Sequence, residues 1–350
     1  MQKLAVLFDN IDPIKGPLPN ILTEYPPSMG EKVIERFLTS LFSDFNLTFI
    51  PSYFVSEQEY WIYPIFLNNL FFMNSIDKIR ESLPKNILSE YKKRPRRKGR
   101  IILFILEPIN DFETFGYLAA TKNADLIFCT HHKSETLYKN VIDVDMCLLE
   151  RHNGYIYDTP SEESLQFYDK RIFSSFLYFY EDCAIRKKFL TFVQEKKLEG
   201  DMFISAKDYG KGFFNCLNIE EALEKSFINI IFEADIFWKG RSILTEKVWR
   251  CVESEKPFII MSHKGALKYF RDQGFKTFSN LIDESYDEID NDKSRVKAVF
   301  TEVLRLSKLK HTELTELNNE LRNVFDHNKE TLKIKHKNAQ QRIFEKVKNR

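Results

Sequence analysis

The sequence predicts an α/β fold made of two domains, each built around a mainly parallel sheet. The chain has 350 residues, more than the roughly 250–300 that one core usually serves. Short apolar runs alternate with helical periodicity in both halves, which is typical of parallel sheets covered by helices. A polar, turn-rich segment at 153–163 separates the two halves. We therefore predict a first domain over residues 1–158 and a second over 166–308.

The composition excludes several classes of protein. The chain contains 32 Phe, 15 Tyr and 3 Trp, too many aromatic residues for a disordered protein. Its 52 Lys and Arg balance 51 Asp and Glu, so nucleic acid or a membrane would have to bind at a local patch. Five scattered cysteines without a C-x-x-C pair indicate neither a zinc site nor a disulfide framework. The apolar run at the N-terminus is too short for a signal peptide, which predicts a cytoplasmic protein.

Apolar runs and periodicity predict the elements of both halves. In the first half we expect strands at 4–8, 46–50, 101–106 and 125–130, and helices at 30–42, 76–91 and 111–120. In the second half we expect strands at 173–180, 202–205, 227–232 and 257–262, and helices at 184–197, 245–254 and from 293 onwards. Because ligands of such sheets bind beyond the carboxyl ends of the strands, the polar residues there are the candidates for function.

Polar residues gather where the strand 227–232 ends and where the next helix begins. Glu233 follows the strand directly, Thr245 has the residue type of a helix N-cap, and Glu246 suits the positive end of the helix dipole. Lys247 opposes that dipole, which favours an anion between the lysine and the helix N-terminus. A diphosphate would satisfy both groups. The structural alternative is a plain capping arrangement.

This segment resembles the nucleotide-sugar signature of the α-1,3-fucosyltransferases. That signature is Phe-Glu, a short polar loop, Tyr-x-Thr-Glu-Lys-x-x-Arg, and a proline that opens the next strand. The matching residues are Phe232, Glu233, Thr245, Glu246, Lys247, Arg250 and Pro257. The aromatic residue before Thr-Glu-Lys is absent, with Ile243 and Leu244 in its place. The segment is also similar to the Glu-Lys helix of other GT-B glycosyltransferases and to glycosyltransferase-like proteins of large phages.

The resemblance implies two Rossmann-like domains that face a cleft. The C-terminal sequence is charged and has helical periodicity, which predicts a long helical tail over 309–350. It also implies transfer of a sugar from a UDP- or GDP-linked donor to a hydroxyl, with Glu246 on the ribose and Lys247 on the diphosphate. Arg186, with Lys187 beside it, is the candidate for the arginine that the family places against the phosphates. A solvated helix face is the alternative for this pair. The predicted donor-binding residues are Arg186, Lys187, Glu233, Thr245, Glu246 and Lys247.

The resemblance places the donor on the second domain, so the catalytic base is expected from the first. Glu107 follows the strand 101–106 directly and is the first candidate. His131 and His132 follow the strand 125–130 and are the alternatives, because a histidine titrates near neutral pH. Asp9 is a third option. The triplet 143–145 has Asp-x-Asp spacing but lies within an apolar run, so we predict no metal site and no required cofactor.

A basic segment in the first half bears on the acceptor. Residues 91–100 include seven Lys or Arg, which suits DNA phosphates or an anionic membrane, although a solvated loop has the same composition. The acceptor is thus a glycan or a hydroxymethylated base in DNA, and the rival is a non-catalytic nucleotide-fold binding module. The tail also carries apolar residues, which predicts that part of it packs on the body. The residues of the predicted acceptor patch are Lys92, Lys93, Arg94, Arg96 and Arg97.

Overall fold

The chain forms two compact units in a computed structural model. The first unit comprises Met1–Tyr157 with Lys335–Arg350, and the second comprises Asp158–Ile334. The predicted linker 153–163 lies outside the residues that the structure describes, and the roles assigned to the domains stay predictions. The described residues are 2–8, 11–12, 16–17, 38–39, 42, 45–51, 58, 60–67, 85, 87, 89, 99–105, 125–129, 141–143, 171–177, 183–208, 211–214, 219–233 and 244–348.

The first unit contains a six-stranded parallel sheet, which confirms the predicted class. Its strand order is β4-β1-β5-β6-β7-β8. The core includes the buried side chains of Val6, Ile62, Ile102 and Phe104. The strands of this unit are β1 (Gln2–Phe8), β2 (Ile11–Asp12), β3 (Gly16–Pro17), β4 (Phe45–Pro51), β5 (Trp61–Leu67), β6 (Gly99–Ile105), β7 (Leu126–Cys129) and β8 (Val141–Asp143).

Strand β5 is a strand that the sequence did not predict. Pro64 lies inside it and pairs with Ile102 of β6, although proline has no N–H to donate to a neighbouring strand. The position is nevertheless central, since β5 lies between β1 and β6. The apolar character of the segment therefore outweighs the proline. Of the helix predicted at 30–42, Leu38 and Thr39 are helical, and most of the predicted helix lies outside the described residues.

The second unit contains a five-stranded sheet in the order β11-β10-β9-β12-β13, parallel except for β11. Its strands are β9 (Arg171–Phe176), β10 (Met202–Asp208), β11 (Lys211–Phe214), β12 (Ser226–Phe232) and β13 (Phe258–Met261). Its helices are α1 (Ala184–Glu195), α2 (Ile219–Glu224), α3 (Glu246–Glu253), α4 (Ala266–Asp272), α5 (Asp292–Leu306), α6 (His311–Glu320) and α7 (Arg322–Lys348). Residues 335–348 of α7 belong to the first unit.

The strand order of this sheet fixes where a ligand can bind. Strand β9 lies between β10, which follows it in the chain, and β12. The chain thus continues to one side of β9 and later returns on the other side, which makes the carboxyl ends of β9 and β12 a topological switch point. All seven residues of β12 are buried, as expected for a strand with covered faces. Glu233, one of the predicted donor residues, follows this strand directly.

A buried polar network joins β9, β12 and α3. Ser174 Oγ lies 2.9 Å from Ser226 Oγ and donates to Asn229 Oδ1 at 3.0 Å. Asn229 Nδ2 donates to Cys251 Sγ of α3, also at 3.0 Å. Because a buried polar group is costly without a partner, this network favours one register of α3 on the sheet. The start of α3 therefore has a defined place beside β12.

The C-terminal region is helical, as the sequence predicts. In the second unit, Arg322 and Lys329 of α7 pair with Glu255 at 2.9 and 2.7 Å. In the first unit, Ile343 is fully buried in the core, and the rings of Phe45 and Phe344 are 5.7 Å apart. The predicted packing of part of the tail is thus confirmed. Within the described residues, no helix combines the length and apolar character that a membrane crossing needs.

Candidate functional site

Two helices begin close to the switch point of the second sheet. Helix α1 is the helix that follows β9, and α3 is the helix that follows β12. In α1 the buried side chains recur at helical spacing, at Ile185, Phe189, Phe192 and Val193, so one face of the helix packs on the sheet. Each helix carries a cation in its first turn, Arg186 in α1 and Lys247 in α3. Cations at these positions oppose the helix dipoles, which favours a compensating negative charge nearby.

Glu233 fastens the start of α3 to the end of β12. Its backbone N–H donates to Met261 O of β13 at 3.1 Å. Its carboxylate accepts from the backbone N–H of Thr245 at 3.1 Å and from Thr245 Oγ1 at 2.8 Å. Thr245 occupies the N-cap position, as predicted, but its side chain makes no capping bond to the helix. The hydroxyl is engaged by Glu233 instead, which binds the helix start to the strand end.

Lys247 lies between two carboxylates and a hydroxyl. Its Nζ is 3.4 Å from Glu233 Oε2, 3.4 Å from Glu246 Oε1 and 3.0 Å from Thr245 Oγ1. Burial alone would lower the pKa of Lys247, but the charges of Glu246 and Glu233 outweigh it and raise the pKa, against the opposing charge of Arg186. Burial would likewise raise the pKa of Glu246, yet the nearby charges of Lys247 and Arg250 lower it. Both side chains are therefore ionised at neutral pH.

Arg186 belongs to the same electrostatic cluster. Its guanidinium donates from Nη2 to the carbonyl oxygen of Phe232, the last residue of β12, at 3.1 Å. The side chain is buried, with the residue only 7% exposed. A buried arginine that faces a strand end provides a planar set of donors suited to phosphate oxygens. The contact also joins the start of α1 to the end of β12.

The side chains of this cluster differ in how accessible they are. Those of Lys247 and Glu246 are 26% and 25% exposed, whereas that of Glu233 is 4% exposed. A ligand can thus reach one ammonium and one carboxylate that lie side by side. An ammonium suits a phosphate, and a carboxylate can accept hydrogen bonds from two hydroxyls. The pair is chemically suited to the ribose and the phosphates of a nucleotide.

The remaining predicted residues are Lys187, the candidate bases and the acceptor patch. Lys187 lies on the exposed face of α1, and its contact with a donor stays a prediction. The candidate bases and the residues of the predicted acceptor patch fall outside the described residues, so their roles stay predictions as well. These are Glu107, His131, His132, Asp9, Lys92, Lys93, Arg94, Arg96 and Arg97.

The structure adds two polar residues at the end of β13 that the sequence analysis did not single out. Ser262 Oγ lies 3.0 Å from His263 Nδ1, and both residues are buried. Arg295 of α5 donates from Nε to the carbonyl oxygen of Ser262 at 2.9 Å. The signal was present in the sequence, since both residues follow a buried strand as Glu233 does. These residues extend the polar edge of the sheet by one strand.

Two cavities of the second unit lie away from the cluster. One of about 320 Å³ is lined by residues of α5 and the segment before it, including Asp283, Tyr286 and Glu302. The other, of about 420 Å³, lies along residues 271–280, Leu321 and the start of α7, including Val324. Neither is lined by residues of the Lys247 cluster. The candidate site is therefore identified by its chemistry at the switch point.

The sequence and the structure were compared with those of known proteins. No protein-family model and no curated protein matches the sequence. A crystal structure of an α1,3-fucosyltransferase is 12% identical over 97% of this chain and 90% of that one, with a TM-score of 0.47. The structure of T4 phage BGT with UDP and Mn²⁺ is 12% identical over the whole of both chains, with a TM-score of 0.45. The glycotransferase of kitacinnamycin is 7% identical over 99% of both chains, with a TM-score of 0.40. One of these proteins is named for the family whose signature the sequence motif resembles.

Proposed function

We propose that the chain is a glycosyltransferase that moves a sugar from a nucleoside diphosphate sugar, linked to UDP or GDP, to an acceptor hydroxyl. The observation that carries the proposal is the pairing of Lys247 with Glu246 at the start of α3, near Arg186 at the start of α1. This pairing lies at the switch point of a parallel sheet, where nucleotides bind in such folds. A structural capping arrangement would not require two first-turn cations at that place.

The proposed chemistry assigns a role to each group. Glu246 accepts hydrogen bonds from the ribose hydroxyls, while Lys247 and Arg186 bind the diphosphate. As the bond between the sugar carbon and the phosphate oxygen breaks, the two cations stabilise the charge that develops on the leaving diphosphate. The acceptor oxygen forms the new bond, and its proton passes to a base of the first domain. Glu107 is the first candidate for that base, with His131 and His132 as alternatives. The two cations supply the charge that a metal ion would otherwise provide.

The acceptor is proposed from the charge of the first domain. A glycan and a hydroxymethylated base in DNA both present a suitable hydroxyl. The seven cations of residues 91–100 favour DNA, because phosphates would neutralise them. A glycan acceptor would need no such segment. We therefore propose DNA as the acceptor to be tested first.

A donor panel tests the proposal against the alternative of a non-catalytic binding module. The purified chain is incubated with UDP- and GDP-linked sugars, with and without duplex DNA that contains hydroxymethylated bases, and release of UDP or GDP is measured. A transferase releases nucleoside diphosphate from one donor, and faster with its acceptor. Nucleotide binding without release from any donor would instead identify a binding module.

A further inference from the structure

We infer that Glu233 and Thr245 are positioning residues, which hold the Lys247 ammonium in place for the diphosphate and do not themselves contact the donor. This inference rests on the proposed function and changes the role predicted for the two residues, which the sequence placed among the donor ligands. The Glu233 carboxylate is bound to Thr245 through both of its oxygens. Oε1 accepts from the backbone N–H and from the hydroxyl of Thr245, each at 3.1 Å, and Oε2 accepts from the hydroxyl at 2.8 Å.

The accessibility of Glu233 argues against direct contact with a ligand. Its side chain is 4% exposed, and both carboxylate oxygens already accept hydrogen bonds from the protein. A ribose hydroxyl would have to displace Thr245 to reach it. Glu246, with a quarter of its side chain exposed, is the carboxylate that a ribose can reach. The two acids of the motif therefore have different tasks.

The direction of the hydrogen bonds is fixed by chemistry. An ionised carboxylate only accepts, an ammonium only donates, and a threonine hydroxyl has one proton to give. The hydroxyl proton of Thr245 therefore points to Glu233, which leaves the oxygen lone pairs for Lys247 Nζ at 3.0 Å. Glu233 thus orients the hydroxyl, and the hydroxyl orients the ammonium.

A ligand can take over one of the hydrogen bonds of the Lys247 ammonium. Lys247 Nζ has three protons, and its partners are Thr245, Glu233 and Glu246. Of these three, Thr245 and Glu233 are held by the buried contacts at the end of β12. Glu246 is the accessible partner, so a donor that engages Glu246 through its ribose frees that proton for a phosphate oxygen. Loss of the hydrogen bonds from Glu233 through Thr245 to Lys247 would therefore weaken diphosphate binding and leave nucleoside binding unchanged.

A binding series separates positioning from direct contact. Affinities for UDP and uridine, or for GDP and guanosine, are measured by calorimetry in wild type, Thr245→Val, Thr245→Ser and Lys247→Ala. We expect Thr245→Val, which removes the hydroxyl at nearly constant volume, to weaken diphosphate binding about tenfold, on the scale of one hydrogen bond to a charged group. The nucleoside keeps its affinity, and Thr245→Ser, which restores the hydroxyl, recovers the diphosphate affinity.

A double-mutant cycle gives the decisive comparison. Since Thr245 is inferred to act through Lys247, Thr245→Val should have no further effect in the Lys247→Ala background. An undiminished effect there, or an equal loss for nucleoside and diphosphate, would show direct contact and overturn the inference. If Thr245→Val does not fold in a thermal melt, Glu233→Gln takes its place in the same cycle, with a changed diphosphate affinity expected only when Lys247 is present. A wild-type chain that binds neither nucleotide would overturn the proposed function itself, whereas normal binding with an unaffected Thr245→Val overturns the inference alone.

Discussion

Two neighbouring strand-to-helix junctions of the second unit differ in the groups that contact the helix N-terminus. At the start of α4, which follows β13, the carboxylate of Asp287 accepts from the backbone N–H groups of Leu267 and Lys268, both at 2.9 Å. At the start of α3, the hydroxyl of Thr245 is bound by Glu233 and makes no capping bond. At the α4 junction a carboxylate therefore caps the helix N-terminus directly. At the α3 junction the carboxylates surround a cation, Lys247, whose accessible partner is the partly exposed carboxylate of Glu246.

This difference distinguishes a junction that only stabilises the fold, at α4, from one that is suited to bind a ligand, at α3. Asp287 is 3% exposed, so its charge serves the helix and is closed to a ligand. Lys268 is also a cation in the first turn of its helix, but its ammonium pairs with Asp272 at 2.6 Å, and 68% of its side chain is exposed. A first-turn lysine alone therefore does not mark a site. The candidate site is distinguished by a partly buried lysine, Lys247, which Glu233 at the end of β12 holds in place.

The largest expected effect is the salt dependence of DNA binding by the proposed acceptor segment. The cations of this segment lie in the first domain, apart from Lys247 and Lys268 of the two junctions. About five phosphate contacts by residues 91–100 would give duplex DNA binding a log–log salt slope of roughly −4 to −5, which weakens binding about 10²–10³-fold between 50 and 200 mM salt. Fluorescence anisotropy across a salt series measures the slope. Replacing Arg94, Arg96 and Arg97 by Ala should flatten it. If the chain does not bind DNA at low salt, a glycan becomes the favoured acceptor.

The second effect tests whether the α3 junction serves a reaction or only binding. Glu107→Gln should lower turnover by a factor of about 10² or more, because general base catalysis typically contributes that much. The affinity for the donor should not change, since the donor is proposed to lie on the other domain. Turnover is followed as release of nucleoside diphosphate, with calorimetry for the affinity. Full activity of this variant would shift the role to His131 or His132.

The third effect tests the structural side of the comparison. Asp287→Ala removes a buried carboxylate that accepts two backbone hydrogen bonds, and we expect a loss of about 3 kcal/mol in the free energy of unfolding. Chemical denaturation followed by circular dichroism measures this loss. Nucleotide affinity of the folded variant should stay close to that of wild type. A stable variant with impaired nucleotide binding would mean that the α4 junction also belongs to the site.

Much of the fold could be predicted from the sequence because its signals are local. The run 227–232 is apolar throughout and forms β12 over Ser226–Phe232. The start of α3 followed from Thr245 and Glu246, whose residue types suit a helix N-terminus. Strand β5 was not predicted, because Pro64 and the following asparagines are atypical of a central strand, while its pairing with both neighbours depends on the whole sheet.

The contacts of the site were harder to predict because they join residues distant in the chain. Glu233 and Thr245 are twelve positions apart, and their hydrogen bonds depend on how the strand end meets the helix start. The cap of α4 comes from Asp287, about twenty residues beyond the N–H groups that it accepts from. Sequence spacing identified the chemical groups at the site. Only the folded arrangement distinguishes the partly exposed acid, Glu246, from the buried one, Glu233.

The comparison of the two first-turn lysines tests the central claim most directly. Affinities for UDP and GDP are measured by calorimetric titration of wild type, Lys247→Ala and Lys268→Ala under identical conditions. We predict that Lys247→Ala weakens binding by about 1.5–3 kcal/mol, the scale of a hydrogen bond to a charged group. Lys268→Ala should bind as tightly as wild type, because its ammonium lies on the solvent side of a junction that Asp287 already caps. Equal affinities of Lys247→Ala and wild type for the nucleotide that binds would contradict the account.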